Sequence, residues 1–322
     1  MKILGIETSC DETAAAVVNN GRVILSNVVV SSLREHSRYG GIIPEIASRR
    51  QIELINLISK EALHKAGQSL ANISAIAVTV KPGLVGSLLV GSSFAKSLGF
   101  ATKKPVYEID HIQAHLYANF LTFAKSESQA RKPPKLPAIG LVVSGGHSSL
   151  FYVKNFKEYQ LLGQTRDDAI GESFDKVARM LKLGYPGGPI IDRLAKKGVN
   201  DEIHFPCAPL TGTEDFSFSG IKTSVLYYLK RNAHQVKLPV NKIAYSFQKS
   251  VVSTLIEKCT AACLKRNIKT LLVGGGVAAN STLRTRMVEE TKQHGINVFF
   301  PDLSLCLDNA AMIAGLGFHM RK

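Results

Sequence analysis

Hydrophobic and polar positions alternate from the first residues of the chain. Residues 1–7 (MKILGIE) read as a strand, and residues 13–18 and 23–30 repeat the pattern after short polar breaks. Together they predict a meander of neighbouring strands. From residue 44 to 66 the period becomes helical, with Ile46, Ile52, Ile55 and Ile58 on one side. Residues 75–80 read as a strand. Pro82-Gly83 then opens a helix rich in small residues, residues 106–109 form a short strand, and residues 111–123 are helical. The most apolar stretch, residues 83–100, carries Lys96 and many glycines and serines. It reads as a buried helix, not a membrane span.

Residues 125–137 are polar and hold three prolines, the mark of a loop or linker. Beyond them the opening pattern returns. Residues 138–143 (AIGLVV) predict a strand, Ser144-Gly145-Gly146-His147 a tight turn, and residues 149–153 a second strand. The early LGIETSCDETAAAVV and this IGLVVSGGHSSLFYV share one architecture, a weak internal repeat of strand, small polar turn and strand. Helices are expected over residues 170–181, 188–197 and 243–266. A strand over 269–273 runs into Gly274-Gly275-Gly276, a helix starts near Asn280, and another runs from Asp308 to the end. The chain therefore reads as two α/β halves with a nucleotide in the cleft between them.

The length, 322 residues, suits about two domains. Hydrophobic residues at 45% and charged residues at 20% are ordinary for a globular protein and argue against disorder. The net charge of +15 changes the picture more, because it favours a polyanionic partner over a small neutral one. Five cysteines are too few and too scattered for a disulfide framework. Cys259 and Cys263, one helical turn apart, lack the further ligands of a zinc site, so a reducing cytosol is expected. The first seven residues are too short and strand-like for a signal peptide.

Six groups of residues can carry chemistry. His111 and His115 lie one helical turn apart, so both imidazoles can face one cation, or pack as a plain histidine pair. A zinc protease would place a glutamate directly after the first histidine; Ile112 stands there, which removes the general base. Val142-Val143-Ser144-Gly145-Gly146 can bring bare backbone N–H groups to an anion, or form a simple hairpin turn. Gly274-Gly275-Gly276 with Asn280 can contact a nucleotide at a helix start, where Asn280 would also serve as a cap. Neither a Walker loop nor a GxGxxG fingerprint occurs. Asp308 can cap the last helix or complete a two-histidine, one-carboxylate metal site. Asp175 and Asp192, near the glycine-rich turn at Gly187-Gly188, can accept bonds from a sugar or an adenine amine, or lie on solvated helix faces. Asp11 and Glu12 can manage a metal or a water, or sit in an exposed turn.

In this order the stretches GIETSCDET, YGGIIPEIASR, PGLVGSLLVG, HIQAH, VVSGGH, FDKVARML, YPGGP, FSFSGIKT, VGGGVAAN and DNAAMIA, spread from residue 5 to 314, resemble the tRNA threonylcarbamoyladenosine synthase family, formerly called O-sialoglycoprotein endopeptidase, in its bacterial or organellar form. The resemblance implies an α/β fold of the actin-like ATPase type, shared with sugar kinases and heat-shock ATPases, with two ribonuclease-H-like halves around a nucleotide cleft. The halves are expected at residues 1–124 and 138–300, joined by the 125–137 loop, with residues 301–322 carrying Asp308 back toward the N-terminal half. It implies one divalent ion, iron or zinc, on His111, His115 and Asp308. Contacts to a threonylcarbamoyl-AMP substrate fall on Val142, Val143, Ser144, Gly145, Gly146, Asp175, Gly188, Asp192 and Asn280, with Asp11 and Glu12 near its reacting end. The implied reaction moves the threonylcarbamoyl group to the adenosine beside the anticodon, in tRNAs reading codons that begin with adenine. The implied partners are tRNA, a paralogous actin-like subunit and a small ATPase, with no membrane; a homodimer stays open. The implied location is the cytoplasm. Three positions depart from the family's habit: Lys81 where glycine is usual, Ser148 for threonine and Gln51 for histidine.

An actin-like phosphotransferase would share the glycine turns, yet it has no need of the histidine pair with Asp308. A non-catalytic nucleotide-binding scaffold would be expected to have lost that triad. The charge supplies a first test. Raising salt from about 50 to 200 mM is expected to weaken tRNA binding on the order of a thousandfold or more if about 6–10 phosphates are contacted. A binding isotherm that ignores salt would exclude a backbone-dominated interface.

Overall fold

Two meanders organise the chain, one in each of two units. The computed structural model describes residues 1–124, 132–198, 203–207, 210–234 and 238–321. Of the loop expected over 125–137, residues 125–131 lie outside the described residues. The first unit comprises Met1–Pro134 and Pro301–Lys322, the second Lys135–Phe300.

In the first unit β1 (Lys2–Glu7), β2 (Glu12–Asn19) and β3 (Val23–Ser31) pair antiparallel, Ile3 facing Val18 and Ala15 facing Val28. β4 (Ala75–Lys81) and β5 (Val106–Asp110) extend the sheet in parallel from β1, and β6 (Thr122–Phe123) joins β3. The order is β5-β4-β1-β2-β3-β6. α1 (Leu33–Ser37) follows β3, and α2 (Pro44–Lys65) covers β2 and β3. α10 (Ala310–Gly317), from the far end of the chain, packs on β1, β2 and β4. With helices packed on it, β1 is buried from Ile3 onward, which explains its nearly unbroken apolar run.

The buried face of α2 differs from the expected stripe. Ala47, Gln51, Ile55, Ile58 and Ala62 point inward at spacings of four, four, three and four, whereas Ile52, about 100° round the helix from Gln51, is 64% exposed. α3 (Val85–Thr102) corrects the expectation of a buried apolar helix more sharply. Its inward face is Ser87, Gly91, Ala95 and Gly99, while Val85, Leu89 and Phe100 face outward. Small residues let the helix backbone approach the sheet: a Cβ at Gly91 would strike Thr8 Oγ1. The helix expected over 111–123 is shorter. α4 (His111–Tyr117) gives way to a 3-10 turn, and the chain then pairs with β3 as β6 while the Tyr117 hydroxyl donates to Gly21 O at 2.8 Å.

The second unit repeats the order of five of these strands, without a counterpart of β6. β7 (Ala138–Val143), β8 (Ser148–Val153) and β9 (Tyr159–Gln164) form an antiparallel meander. β10 (Thr270–Gly274) lies parallel to β7 and β11 (Asn297–Phe299) parallel to β10, giving β11-β10-β7-β8-β9. Its helices are α5 (Ile170–Met180), α6 (Gly187–Ala195), α7 (Ser219–Arg231), α8 (Val240–Lys265) and α9 (Ser281–Lys292). α8 carries much of the core, with Phe247 packed edge-on against Phe174 at 5.1 Å. Sequence periodicity predicts neither β9, β11 nor α7. Among the described residues no helix is long and apolar enough to cross a membrane.

α10 sits against β1 because Gly5 lacks a side chain. A Cβ there would collide with the Ala310 carbonyl and lie 2.8 Å from Ala314 N. Gly5→Ala is expected to destabilise the chain by about 1–3 kcal/mol, read as a lower denaturant midpoint. An unchanged midpoint would show that α10 is not held by this contact.

Candidate metal centre and nucleotide loops

Asp110 caps α4, its Oδ1 accepting from Ile112 N (2.9 Å) and Gln113 N (3.2 Å), so the helix starts at His111 and places His115 one turn on. Their rings meet edge to face, centroids 4.5 Å apart, and the two Nε2 atoms lie 3.1 Å apart. Asp308 Oδ1 stands 3.2 Å from His115 Nε2 and 3.5 Å from His111 Nε2. The carboxylate is free to do so because the last helix begins later than expected. α10 starts at Ala310 and is capped by Asn309, whose Oδ1 accepts from Met312 N at 3.1 Å. Asp308 is therefore not the cap.

The three atoms form a nearly equilateral triangle. Bonds of about 2.0–2.2 Å to one cation in tetrahedral geometry would give edges of about 3.3–3.6 Å, against 3.1, 3.2 and 3.5 Å here. Among the described residues these three can offer one ligand atom each to a shared ion, and two nitrogens with one oxygen suit a first-row divalent metal. Burial disfavours charge on both imidazoles. At His111 the Asp308 and Glu7 carboxylates overcome it and raise the proton affinity well above the usual histidine value. At His115 burial, with the neighbouring His111, lowers it. Burial also opposes charge on Asp308, but the two histidines hold its carboxyl well below the usual carboxylate range.

Asp11 ends the turn between β1 and β2, and Glu12 opens β2. Asp11 is buried, which removes the exposed-turn reading. Its Oδ2 accepts from Ser31 Oγ (2.9 Å) and its carbonyl from Ser32 Oγ (2.9 Å). Gln51 Nε2 donates to the carbonyls of Cys10 (2.8 Å) and Glu12 (3.1 Å), tying the turn to α2. Burial, then the charges of Asp308 and Asp11, push the Glu12 carboxyl up to about 10.

The remaining predicted residues belong to the second unit. Val142 and Val143 end β7. Ser144 closes the turn, its N–H donating to His147 O (2.8 Å) and its Oγ accepting from His147 N (3.1 Å), while its carbonyl accepts from Gly171 N at the start of α5. A Cβ at Gly145, Gly146 or Gly188 would meet nothing within 4 Å. Packing does not demand glycine at these positions; glycine leaves the backbone N–H groups bare for an anion. Asp175 Oδ1 accepts from Gly187 N (2.7 Å) at the start of α6. Burial raises its carboxyl, against the pull of that bond. Asp192 accepts from Ser281 Oγ (2.9 Å) and Ser281 N (3.2 Å), and Asn280 caps α9 through Leu283 N (2.9 Å). Neither aspartate lies on a plain solvated face. Gln248, buried in α8, joins them: Nε2 donates to Asp192 (3.2 Å) and Thr282 Oγ1 (2.6 Å), and Oε1 accepts from Asn280 Nδ2 (2.8 Å).

A profile of the tRNA N6-adenosine threonylcarbamoyltransferase family matches residues 23–315. The chain belongs to that family. Its curated relatives include the tRNA N6-adenosine threonylcarbamoyltransferase of Caldicellulosiruptor saccharolyticus, 49% identical over 99% of this chain and 92% of the relative. That of Clostridium beijerinckii is 50% identical over 98% and 91%. Among solved structures the chain is similar to T. kodakarensis HypF (TM-score 0.64, 14% identity, 99% of this chain, 47% of that one). It is also similar to component A of the Acidaminococcus fermentans (R)-2-hydroxyglutaryl-CoA dehydratase (0.57, 14%, 99% and 98%). The fold is the α/β, actin-like ATPase fold that the motifs imply.

Against the threonylcarbamoyltransferase pattern, the three departures are accommodated locally. Ser148 Oγ accepts from Ile170 N at 2.9 Å, Gln51 holds the acidic turn, and Lys81 is exposed, its Nζ 4.0 Å from Asp110. Two residues that the sequence reading missed are Gln248 and Glu7. Glu7 is a fully buried carboxylate 3.0 Å from His111 Nδ1, whose sole sequence signal is a charge closing an apolar strand.

Metal binding requires unprotonated imidazoles. Because His111 holds its proton more tightly than an ordinary histidine, zinc affinity is expected to keep rising with pH above about 8, where ordinary histidines have finished titrating. Competition titrations across a pH series measure this. A plateau by that pH would show that His111 holds its proton no more tightly than an ordinary histidine.

Proposed function

We propose that this chain catalyses the reaction its family is named for, moving threonylcarbamoyl from threonylcarbamoyl-AMP to N6 of the adenosine beside the anticodon, in tRNAs reading codons that begin with adenine. The observation that carries this reading, in a chain of this family, is the convergence of His111, His115 and Asp308 on one point. These residues would hold iron or zinc, either of which fits two imidazoles and a carboxylate. A bound ion supplies positive charge to offset the charge that develops as AMP departs.

The chain's own residues do the rest. The backbone of Val142, Val143, Ser144, Gly145 and Gly146 holds the phosphate, and Asp175, Gly188, Asp192 and Asn280 hold the adenosine part of the donor. The amine of adenosine is a weak nucleophile because its lone pair is delocalised into the ring. Holding it against the carbonyl is worth about 7–11 kcal/mol at best. As the C–N bond forms and the C–O bond to phosphate breaks, Asp11 or Glu12 takes the amine proton. Burial and the charges of Asp308 and Asp11 keep the proton on Glu12; positive charge held by Asp308 would offset one of these and would let Glu12 serve as the base.

The anticodon loop is single-stranded and its base can be splayed into a site; the +15 charge serves its phosphates. The apolar residues Val85, Leu89 and Phe100 on the outer face of α3, with Ile52 on the adjoining α2, support docking of a paralogous actin-like subunit, for which a homodimer would be the alternative. A small ATPase subunit completes the assembly, and the reaction is cytoplasmic.

The test supplies the chain and its partner subunits with threonylcarbamoyl-AMP and a tRNA transcript, followed by mass spectrometry of the anticodon-loop nucleosides. Wild type is expected to form threonylcarbamoyladenosine. His111→Ala should lose the metal and at least on the order of 100-fold in transfer, the scale of losing one electrostatic stabiliser. Full transfer by a metal-free His111→Ala chain would end the metal reading. ATP hydrolysis without tRNA, and no modified nucleoside, would point to a phosphotransferase instead.

A further inference from the structure

Glu7 closes β1 with no exposure to solvent. A buried carboxylate has to be satisfied by donors, and each of its oxygens has them. Ser9 N donates to Oε1, Thr79 Oγ1 donates to Oε2, and His111 Nδ1 lies 3.0 Å from Oε2. Ser9 Oγ approaches the same ring nitrogen at 3.2 Å. Ser9 N–H and the Thr79 hydroxyl both donate to Glu7, which places its oxygens in the acceptor role, so in the Glu7–His111 bond Nδ1 is the donor. In the neutral ring that binds a metal, His111 Nε2 then carries the lone pair, on the side where His115 Nε2 and Asp308 Oδ1 stand. His115 differs: its Nδ1 is buried without a hydrogen-bond partner.

We infer that Glu7 is a positioning residue for the metal site: it fixes the tautomer and ring orientation of His111 and makes it the pre-set ligand, to which His115 and Asp308 add. The inference rests on the metal reading above. A carboxylate accepting from the far nitrogen of a ligating histidine makes that histidine a better donor, and losing such a partner typically weakens metal binding about 10–100-fold. Glu7 touches neither ion nor substrate in this scheme and acts through His111.

The experiment uses the full chain, stripped by a chelator and titrated with Zn2+ against a chromophoric competitor. Wild type, Glu7→Gln and Glu7→Asp are compared, each first checked for a native far-UV spectrum. Wild type is expected to take one zinc per chain. Glu7→Gln keeps the size but not the charge, Glu7→Asp keeps the charge but withdraws it by one methylene, and both are expected to bind about 10–100-fold more weakly. Native affinity in a folded Glu7 variant overturns the inference and leaves the metal reading standing. No zinc uptake by wild type overturns the metal reading itself. Proton NMR of zinc-loaded wild type decides the matter should neither variant fold. A downfield, exchange-protected His111 Nδ1–H is expected, and its absence overturns the role of Glu7.

Discussion

Everything proposed for this chain depends on the seating of α10 against β1. Asp308 is far from His111 and His115 in sequence, and no local preference brings them together. The contact between Gly5 and the backbone of Ala310 and Ala314 does so, by letting a helix from the end of the chain lie directly on its first strand. Two caps then set the phase. Asp110 starts α4 so that both imidazoles face one way, and Asn309 starts α10 so that Asp308 stays outside the helix. The result is three electron-pair donors about as close as ligands of one ion would stand. Without a cation or protons between them such an arrangement is unfavourable, and packing elsewhere in the unit has to offset it.

The first strand and the start of the second carry two glutamates of opposite character. Glu7 is surrounded by donors, from Ser9, Thr79 and His111, which stabilise a charge. Glu12 is buried beside Asp11 and Asp308, which oppose one. One residue type therefore serves as a fixed acceptor at one position and as a group whose charge depends on its neighbours at the other, the separation by environment on which acid–base chemistry rests.

The meanders β1–β3 and β7–β8, the long helices α2 and α8 and the α/β actin-like class were legible in the sequence. Alternation and length survive tertiary packing when an element is long and half-buried or when a strand sits mid-sheet. What was illegible has physical causes. β11 is a three-residue edge strand, and β9, another edge strand, mixes buried with exposed positions. α3 inverts the hydrophobic rule, because close backbone approach selects Ser87, Gly91, Ala95 and Gly99 for its inner face and leaves its apolar side chains outside. In the site, the spacing of His111 and His115 told only that the two rings share one helix face. The adjacent Asp308 and Asn309 told less, since both residue types cap helices equally well and only the folded chain shows that Asn309 took the cap. Glu7 and Gln248 were hidden because a charge at a strand end and an amide within a helix have no periodic signature.

Apart from β6 the two sheets share one strand order, and the turns that follow their first strands differ in sign. After β1 the chain reads Thr-Ser-Cys-Asp-Glu and gathers carboxylates, an arrangement suited to a cation and a proton. After β7 it reads Ser-Gly-Gly-His and presents bare N–H groups, an arrangement suited to an anion. The strand–turn–strand geometry is indifferent to this choice, because the turn residues leave the ladder pairing untouched on either side. A fold of this type can thus assign opposite electrostatic tasks to its two copies by changing four or five residues in each. That is why the fold class alone says little about the reaction, and why the reading of function had to rest on His111, His115, Asp308 and the carboxylates near them.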